Sequence, residues 1–389
     1  MFSRKFIIII CTAIFLAGCT SLPIKKSPNY SLEDLYKRIP YRTEGRYRVV
    51  NIFYATSRQV DYVADAPKKF WPKLAKETTF GTLDMKIDPR LAIGVVLPDQ
   101  IKNNGLVEIE KAKRLDIDVF AEKLAAAVKA SPHKSLLVLI FGYKDGFEAT
   151  AIKAAYFGYL LDIDTPILLF DWPGDQSVTP WGYREAQSLA RDSGVYLAKL
   201  MGKLAGKIKV EKFWIAASSL GAQVTCSALD AIYNNPDFIN SNQKIDHIIL
   251  AAPDVSGDEF KDKFLEELKF IGKKFTVYVS SEDDALLFSG LVNRNRRLGR
   301  VKARINQPKQ LEEARDLLYL KSLEPDRLTM IDVTPINVAS FKHGYYLECP
   351  EFYDDFYMRI LNPSPNTTRS LYLLKTREGV DYWVMQRGK

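Results

Sequence analysis

Ser219 is the residue whose type and surroundings point most directly to chemistry. It is the centre of Ala217–Gly221, a run of the form small-x-Ser-x-Gly between an apolar segment and an amphipathic one. Where a strand turns tightly into a helix, small flanking residues leave room for the backbone, and the serine hydroxyl projects above the sheet. The first N–H groups of the helix can then stabilise an oxyanion. A serine that merely caps a helix has the same pattern, so the predicted strand-turn-helix setting is what favours a nucleophile.

A serine nucleophile needs a base, and the chain has only 3 histidines. His133 precedes the predicted sheet strands in a loop-like segment, and His247 opens a predicted strand at the end opposite the active edge. His343 follows the last predicted strand, at the edge where Ser219 is expected. A lone histidine among aromatic residues is usually structural, but together with the serine it is our predicted general base.

Two aspartates follow predicted strands at the same edge and could orient the imidazole. Asp254 and Asp283 both lie between Ser219 and His343, which is the Ser-Asp-His order of serine hydrolases built on parallel sheets. The acid commonly follows the strand just before the one that leads to the histidine. This favours Asp283, with Asp254 as the alternative and the adjacent Asp284 left open.

Two backbone N–H groups are candidate oxyanion donors. One belongs to Leu220, directly after the nucleophile, and the other to Tyr143, in the loop after an earlier predicted strand. Trp172 follows another strand at this edge, and we expect it to be pocket wall or packing.

The elements that must position these residues are visible as apolar runs that alternate with longer amphipathic segments. This alternation is typical of β-α units and a mainly parallel sheet, whose strands are covered by helices on both faces. Ligands bind such sheets at the carboxyl ends of the strands. Residues 48–114 are expected to add edge strands or a cap: Val49–Tyr54 and Ile93–Leu97 are strand-like, and the charged stretch between them is predicted to form surface loops. The sheet strands are predicted at Leu136–Phe141, Ile167–Phe170, Phe213–Ala217, Ile248–Ala252, Phe275–Val279 and Leu328–Val333.

The first residues have the pattern of an export signal. Arg4 and Lys5 precede the apolar run Phe6–Leu16, which is shorter than the roughly twenty residues of a membrane span. Leu16–Cys19 resembles a bacterial lipobox, which implies cleavage before Cys19 and acylation of its thiol. An ordinary signal that happens to end in Ala-Gly-Cys is the alternative.

The domain organisation follows from this front end. We predict a lipoprotein signal peptide at 1–18, a tether at 19–47, a main domain at 48–362 and a C-terminal tail at 363–389. Thr20 after the cysteine hints at the outer membrane by the same resemblance. We therefore expect a lipid-anchored protein of the bacterial cell envelope, facing the periplasm.

The composition argues against several classes of function. Although 55 Lys and Arg outnumber 47 Asp and Glu, no basic cluster is interleaved with aromatic residues, so nucleic acid is not an expected partner. There is no CxxC or HExxH motif, and 3 histidines make zinc improbable, so we expect neither metal nor cofactor. Cys226 and Cys349 could pair in an oxidising periplasm or be small buried apolar residues, and the sequence leaves both readings open.

Taken together, the segments resemble an uncharacterised α/β-hydrolase family, a domain of unknown function found in bacterial, often envelope-associated proteins. The resemblance covers about residues 48 to 360. It implies an α/β-hydrolase fold with a serine-hydrolase site, in which His343 occupies the position of the family's late histidine. The matching segments are Asn51–Arg58, Gly142–Tyr143, Phe170–Pro173, Ala217–Gly221, Leu250–Asp254 and Ser280–Asp283.

The chain departs from the family pattern at two histidines. Family members usually have His-Gly-Tyr-Asn where this chain has Phe141–Lys144, and Ala-His-Ser-Met-Gly where it has Ala217–Gly221. Phe141 and Ser218 thus replace histidines that flank the site, and neither is a predicted triad residue. We expect a membrane-tethered serine hydrolase that acts on an ester or thioester, including lipid esters. The alternative is a catalytically degenerate lipoprotein that serves as an envelope binding or scaffold protein.

Overall fold

The computed structural model describes most of the chain after residue 36. The predicted signal peptide and most of the tether, including Cys19, lie outside the described residues. The described residues from Ile39 onward form one compact unit, and no helix among them is long and apolar enough to cross a membrane. The described residues are 37–63, 66–93, 104–233, 236–240, 243–264, 267, 270–293, 295, 297–300, 328–361, 371–375 and 381–387.

The described strands form one sheet with a parallel centre. Its order is β11-β12-β10-β9-β8-β7-β5-β6-β2-β3-β4, and β1 pairs with β2. The pairs from β10 to β2 along this order are all parallel, which confirms the predicted mainly parallel sheet. The strands are β1 (Arg42–Glu44), β2 (Tyr47–Val63), β3 (Ala66–Ile87), β4 (Val107–Leu115), β5 (Ser135–Ile140), β6 (Ile167–Asp171), β7 (Lys212–Ser218), β8 (Ile245–Ala251), β9 (Gly272–Val279), β10 (Leu328–Asp332), β11 (Leu371–Lys375) and β12 (Asp381–Met385).

Helices follow most of the parallel strands. Their positions agree with local signals: in α3, for example, Pro180 lies in the first turn, and the Thr179 side chain accepts a hydrogen bond from the Gly182 N–H at 3.1 Å. The helices are α1 (Ile117–Ala130), α2 (Phe147–Leu161), α3 (Pro180–Ala205), α4 (Gly221–Tyr233), α5 (Pro236–Asn240), α6 (Asp284–Asn293), α7 (Tyr345–Glu348) and α8 (Pro350–Leu361). A short turn at Gly257–Glu259 continues into a π-helix at Phe260–Phe264.

Two apolar cores, one on each face of the sheet, explain the continuous apolar runs. In β5, Leu136 and Val138 face the core that includes α1, α3 and α4. Leu137 and Leu139 face the opposite core, with α2 and α8. Because successive side chains of a strand point to opposite faces, a strand buried on both sides must be apolar at nearly every position.

The prediction of surface loops after Tyr54 is wrong. β2 and β3 instead form a long antiparallel hairpin, paired from Arg48 with Ile87 to Val63 with Ala66, and β4 pairs with β3 at the edge of the sheet. Much of β3 is exposed or only half-buried, so lysine and proline are tolerated there and mask the strand pattern. Of the run Ile93–Leu97, only Ile93 is described, and it lies outside any strand.

The C-terminal residues extend the other edge of the sheet. β12 pairs with β10 in parallel, and β11 pairs with β12 antiparallel. His343 follows β10, as predicted. The prediction that this is the last strand of the chain is wrong, because β11 and β12 come after it.

Candidate active site

The turn after β7 holds Ser219 in a strained conformation. Its backbone φ is 53°, in the left-handed region that residues with a side chain rarely occupy. Two long-range hydrogen bonds hold it there: the Ser219 N–H donates to the Ala251 carbonyl at 3.1 Å, and its carbonyl accepts from the Asp254 N–H at 3.0 Å. Strain of this kind persists only where the surroundings enforce it, and it concentrates at functional sites.

Two glycines allow the backbone to approach this turn closely. A Cβ on Gly142 would lie 2.6 Å from the Ser219 Cβ and 3.0 Å from its Oγ. A Cβ on Gly221 would lie 2.4 Å from the Ile140 carbonyl oxygen. The loop after β5 therefore lies directly against the serine, and the start of α4 lies directly against the end of β5.

His343 is joined to Asp283. Its Nδ1 lies 2.8 Å from Asp283 Oδ2, and the carboxylate is fully buried. The second carboxylate oxygen accepts the Leu286 N–H at 2.8 Å. Burial opposes the protonated imidazole, but the Asp283 carboxylate outweighs it, so the pKa of His343 lies above its ordinary value.

Asp254, the alternative acid, belongs to a different buried network. Its Oδ1 accepts hydrogen bonds from Arg297 Nε and Ser289 Oγ, both at 2.6 Å. Its Oδ2 accepts from the Tyr183 hydroxyl at 2.7 Å. The carboxylate is thus engaged by partners other than the histidine. The adjacent candidate Asp284 is exposed at the start of α6.

Ser219 and His343 line one cavity, although no hydrogen bond joins their side chains. Catalytic hydrogen bonds are often long in unliganded enzymes and tighten when substrate binds. The structure therefore brings the serine and the histidine-aspartate pair to the same pocket.

The two candidate oxyanion donors flank the serine. Leu220 follows it directly, and Tyr143 follows Gly142, which touches the Ser219 side chain. Within the described residues, neither N–H donates to another group. The next N–H along the loop, that of Lys144, is instead used by the Gly174 carbonyl at 2.8 Å.

The cavity has a volume of about 320 Å³. Much of its wall is aromatic or aliphatic, and its charged residues include the ion pair between Lys153 and Asp145, with 2.6 Å between Nζ and Oδ2. Two apolar side chains of the wall are largely exposed at its mouth, Val178 at 76% and Phe341 at 77%. The wall also includes Tyr143, Lys144, Thr179, Tyr183, Leu286, Tyr346 and Leu347.

Phe141 and Ser218 stand where the resembled family pattern has histidine. Neither Phe141 nor Ser218 lines the cavity that contains Ser219. Both are buried, and they border a separate void of about 20 Å³, which shares Tyr346 with the cavity. The two departures from the resembled pattern therefore lie outside the described wall of the pocket.

The remaining histidines and cysteines have structural surroundings. His133 is in an exposed turn, and His247 lies within β8, buried, with Nε2 2.8 Å from Thr276 Oγ1. Cys226 and Cys349 are free, buried thiols, so of the two readings left open the apolar one applies. Burial raises the pKa of the Cys349 thiol to about 11.

The sequence analysis did not identify a buried arginine that contacts the loop after β5. Arg58 lies at the distal part of β2, is fully buried, and pairs with Asp171 at the end of β6. Both residues lie in segments that carried the resemblance to the family, but nothing in their local pattern shows that they meet.

These strand ends define an α/β-hydrolase domain, with a strained serine after β7 and a histidine-aspartate pair after β10 and β9. The chain belongs to DUF900, a family of alpha/beta hydrolases of unknown function, whose sequence model matches residues 117–361. The predicted fold and family are thereby confirmed. No curated protein matches the chain.

Two solved structures show limited similarity. A candidate cell surface hydrolase from Lactobacillus plantarum WCFS1 is 11% identical with a TM-score of 0.32, over 58% of this chain and 89% of the other. An endo-beta-N-acetylglucosaminidase from Cordyceps militaris is 8% identical with a TM-score of 0.21, over 57% and 75% of the two chains. These TM-scores are too low to carry an argument about function.

Proposed function

We propose that the protein is a serine hydrolase that cleaves an ester or thioester bond. Ser219 is the nucleophile, His343 the general base and then acid, and Asp283 the residue that orients the histidine. The observation that carries the proposal is the 2.8 Å contact between His343 and the buried Asp283 carboxylate, in a cavity shared with the strained Ser219.

The chemistry follows from the arrangement of these groups. With Nδ1–H held by Asp283, Nε2 of the neutral imidazole is the free base that takes the proton of Ser219 Oγ. The oxygen attacks the carbonyl carbon, and the N–H groups of Tyr143 and Leu220 stabilise the oxyanion. The imidazolium then protonates the departing alcohol or thiol. Water, activated by the same histidine, releases the acid from the acyl-enzyme.

The charge on His343 sets the pH range of this reaction. The imidazole is a base only when it is neutral, and the Asp283 carboxylate raises its pKa above 6.5 despite burial. We expect kcat/KM to fall as the pH drops through this raised pKa. The acid limb of the profile should therefore lie at a higher pH than that of an ordinary histidine.

The cavity favours a substrate with an apolar acyl group. Its aromatic and aliphatic wall continues to the exposed side chains of Val178 and Phe341 at the mouth. Apolar surface of this kind gains free energy when a hydrocarbon chain covers it. This supports a lipid ester among the candidate substrates.

We also propose that a lipid on Cys19 anchors the protein in the bacterial envelope, on the periplasmic side of the outer membrane. The support is the order of basic flank, apolar run and Leu16–Cys19 in the sequence. Metabolic labelling with palmitate should tag the wild-type chain and fail in Cys19→Ser. Equal labelling of both would refute acylation at Cys19, and no labelling of the wild type would leave an ordinary signal peptide.

A fluorophosphonate probe tests the catalytic proposal. The chain without residues 1–19 should be labelled, and Ser219→Ala and His343→Ala should abolish labelling. Ser218→Ala is the matched control, because this neighbouring serine lies outside the cavity, and it should keep the label. An unlabelled but folded wild-type protein would refute the proposal in favour of the binding or scaffold role.

A further inference from the structure

Two segments that carried the resemblance to the family, Asn51–Arg58 and Phe170–Pro173, take no part in the chemistry proposed above, and only the second lies within the residues that the family model matches. Asn51–Arg58 lies within β2, and Phe170–Pro173 spans the end of β6, its neighbour in the sheet. Arg58 and Asp171 join them: Arg58 Nε donates to Asp171 Oδ2 at 2.8 Å, and both side chains have no solvent exposure. A buried ion pair of this kind is costly to desolvate, so its placement calls for a reason.

The guanidinium of Arg58 reaches further than this pair. Its Nη1 donates to the Asp175 carboxylate, and its Nη2 donates to the backbone carbonyl of Asp145 at 2.9 Å. The carboxylate of Asp171 is held in turn by the hydroxyls of Thr56 at 2.5 Å and Thr150 at 3.0 Å. Arg58 thus links β2 and the end of β6 to the loop after β5.

The backbone of that loop, Phe141–Asp145, is held at three points. At its start, the Phe141 carbonyl accepts from Trp172 Nε1 at 2.8 Å. In its middle, the Lys144 N–H donates to Gly174 at 2.8 Å, which fixes Lys144 at a φ of 76°. At its end, Arg58 holds the Asp145 carbonyl.

Between these points lie Gly142, which touches the Ser219 side chain, and Tyr143. We infer that Arg58 is a positioning residue of this loop, which holds the Tyr143 N–H where the oxyanion forms. The inference rests on the proposed function. Arg58 does not line the cavity, so it does not contact the substrate there. The inference gives the Asn51–Arg58 segment an indirect role, through the position of the loop.

Only arginine suits this position. Three separate acceptors surround one planar group, and the five N–H donors of a guanidinium diverge in the required directions. Lysine would keep the charge but could not hold Asp171, Asp175 and the Asp145 carbonyl at once. A Lys substitution therefore keeps the positive charge and removes the geometry of the hydrogen bonds.

The test compares Arg58→Lys with a matched control, Arg359→Lys. Arg359 is also a buried arginine, paired with Asp355 on α8 at 2.5 Å, but it does not line the cavity. Both substitutions should lower the melting temperature. Arg58→Lys should also lower kcat at least tenfold with KM within about twofold, because the lost alignment matters only in the transition state. Arg359→Lys should keep kcat.

Asp175→Asn provides a milder second variant, since the Asp175 side chain is 25% exposed and Arg58 keeps its other contacts. This variant should fold and should lower kcat by a smaller factor than Arg58→Lys does. It should weaken the binding of a boronic acid that mimics the tetrahedral intermediate more than the binding of the carboxylate product. This variant decides the case if Arg58→Lys does not fold.

Equal kcat values for wild type and the Arg58 or Asp175 variants, or equal losses in the Arg359 control, would overturn the inference. A wild-type protein without turnover or labelling would instead overturn the proposed function, and the inference with it.

Discussion

Gly142→Ala is the most direct test of how closely the loop after β5 approaches the nucleophile. The added Cβ would lie 2.6 Å from the Ser219 Cβ, whereas ordinary van der Waals contact begins at 3.4 Å. The loop or the serine must therefore move by about 0.8 Å, and a misplacement near 1 Å can cost about a hundredfold in rate.

The substitution should be much more harmful to catalysis than to folding. A hundredfold loss corresponds to about 2.7 kcal/mol of transition-state stabilisation, close to the loss expected for one oxyanion donor. KM should change little, because the displaced Tyr143 N–H acts mainly on the oxyanion. The assay is steady-state hydrolysis of a p-nitrophenyl ester, together with the rate of fluorophosphonate labelling.

Gly206→Ala is the matched control. Gly206 follows α3 with a φ of −82°, and a Cβ there would meet nothing within 4 Å. This change should leave kcat unaltered and the stability equal or slightly higher. If Gly142→Ala folds and retains wild-type kcat, the loop does not position an oxyanion donor, and the proposed geometry is wrong.

Three further predictions concern the acid, the substrate and the stability of the fold. Asp283→Asn should lower kcat by about 10³–10⁴-fold, whereas Asp254→Asn should chiefly destabilise the protein, by about 3–5 kcal/mol, because it breaks a buried ion pair; urea unfolding and kinetics on both variants would show the contrast, and a reversed pattern would make Asp254 the acid. Phe341→Ser should reduce kcat/KM for a decanoyl ester about tenfold relative to an acetyl ester; Val195→Ser, which alters an exposed side chain on α3 outside the cavity, should leave this ratio unchanged, and equal ratios in both variants would argue against an acyl chain at the mouth. Burial lowers the pKa of His247 from 6.5 to about 3, so below pH 6.5 the unfolded chain binds a proton that the folded chain does not. The free energy of unfolding should therefore decrease as the pH is lowered through this window. His247→Gln should remove about 2–3 kcal/mol of the decrease between pH 7 and pH 4.5. Equal decreases for wild type and variant in urea unfolding would contradict this prediction.

Much of the fold was accessible from local patterns. The runs that became β5 to β10 are apolar because both faces of those strands are covered. The turn at Ser219 was recognisable because its steric demands fall on residues that are adjacent in sequence. His343 emerged because so few histidines could reach the carboxyl edge of the sheet.

The full length of the N-terminal hairpin of β2 and β3 could not be predicted from local patterns. The apolar half of β2 pairs with the buried end of β3, but the charged half of β3 continues the ladder where both faces are partly open to solvent. Backbone hydrogen bonds to a partner strand hold that segment extended, and the charged side chains need not alternate with apolar ones.

The sequence by itself determined the class of sheet, the nucleophile and histidine candidates, and a choice of acid between Asp254 and the adjacent pair Asp283 and Asp284. Only the tertiary structure decided which acid meets the histidine. Asp254 accepts a hydrogen bond from Arg297, 43 residues away, whereas Asp283 contacts His343. It also decided that Arg58 meets Asp171, 113 residues further on. Such pairings depend on which strand ends the packing brings together and on the direction of each side chain, and neither leaves a periodic trace in the local sequence.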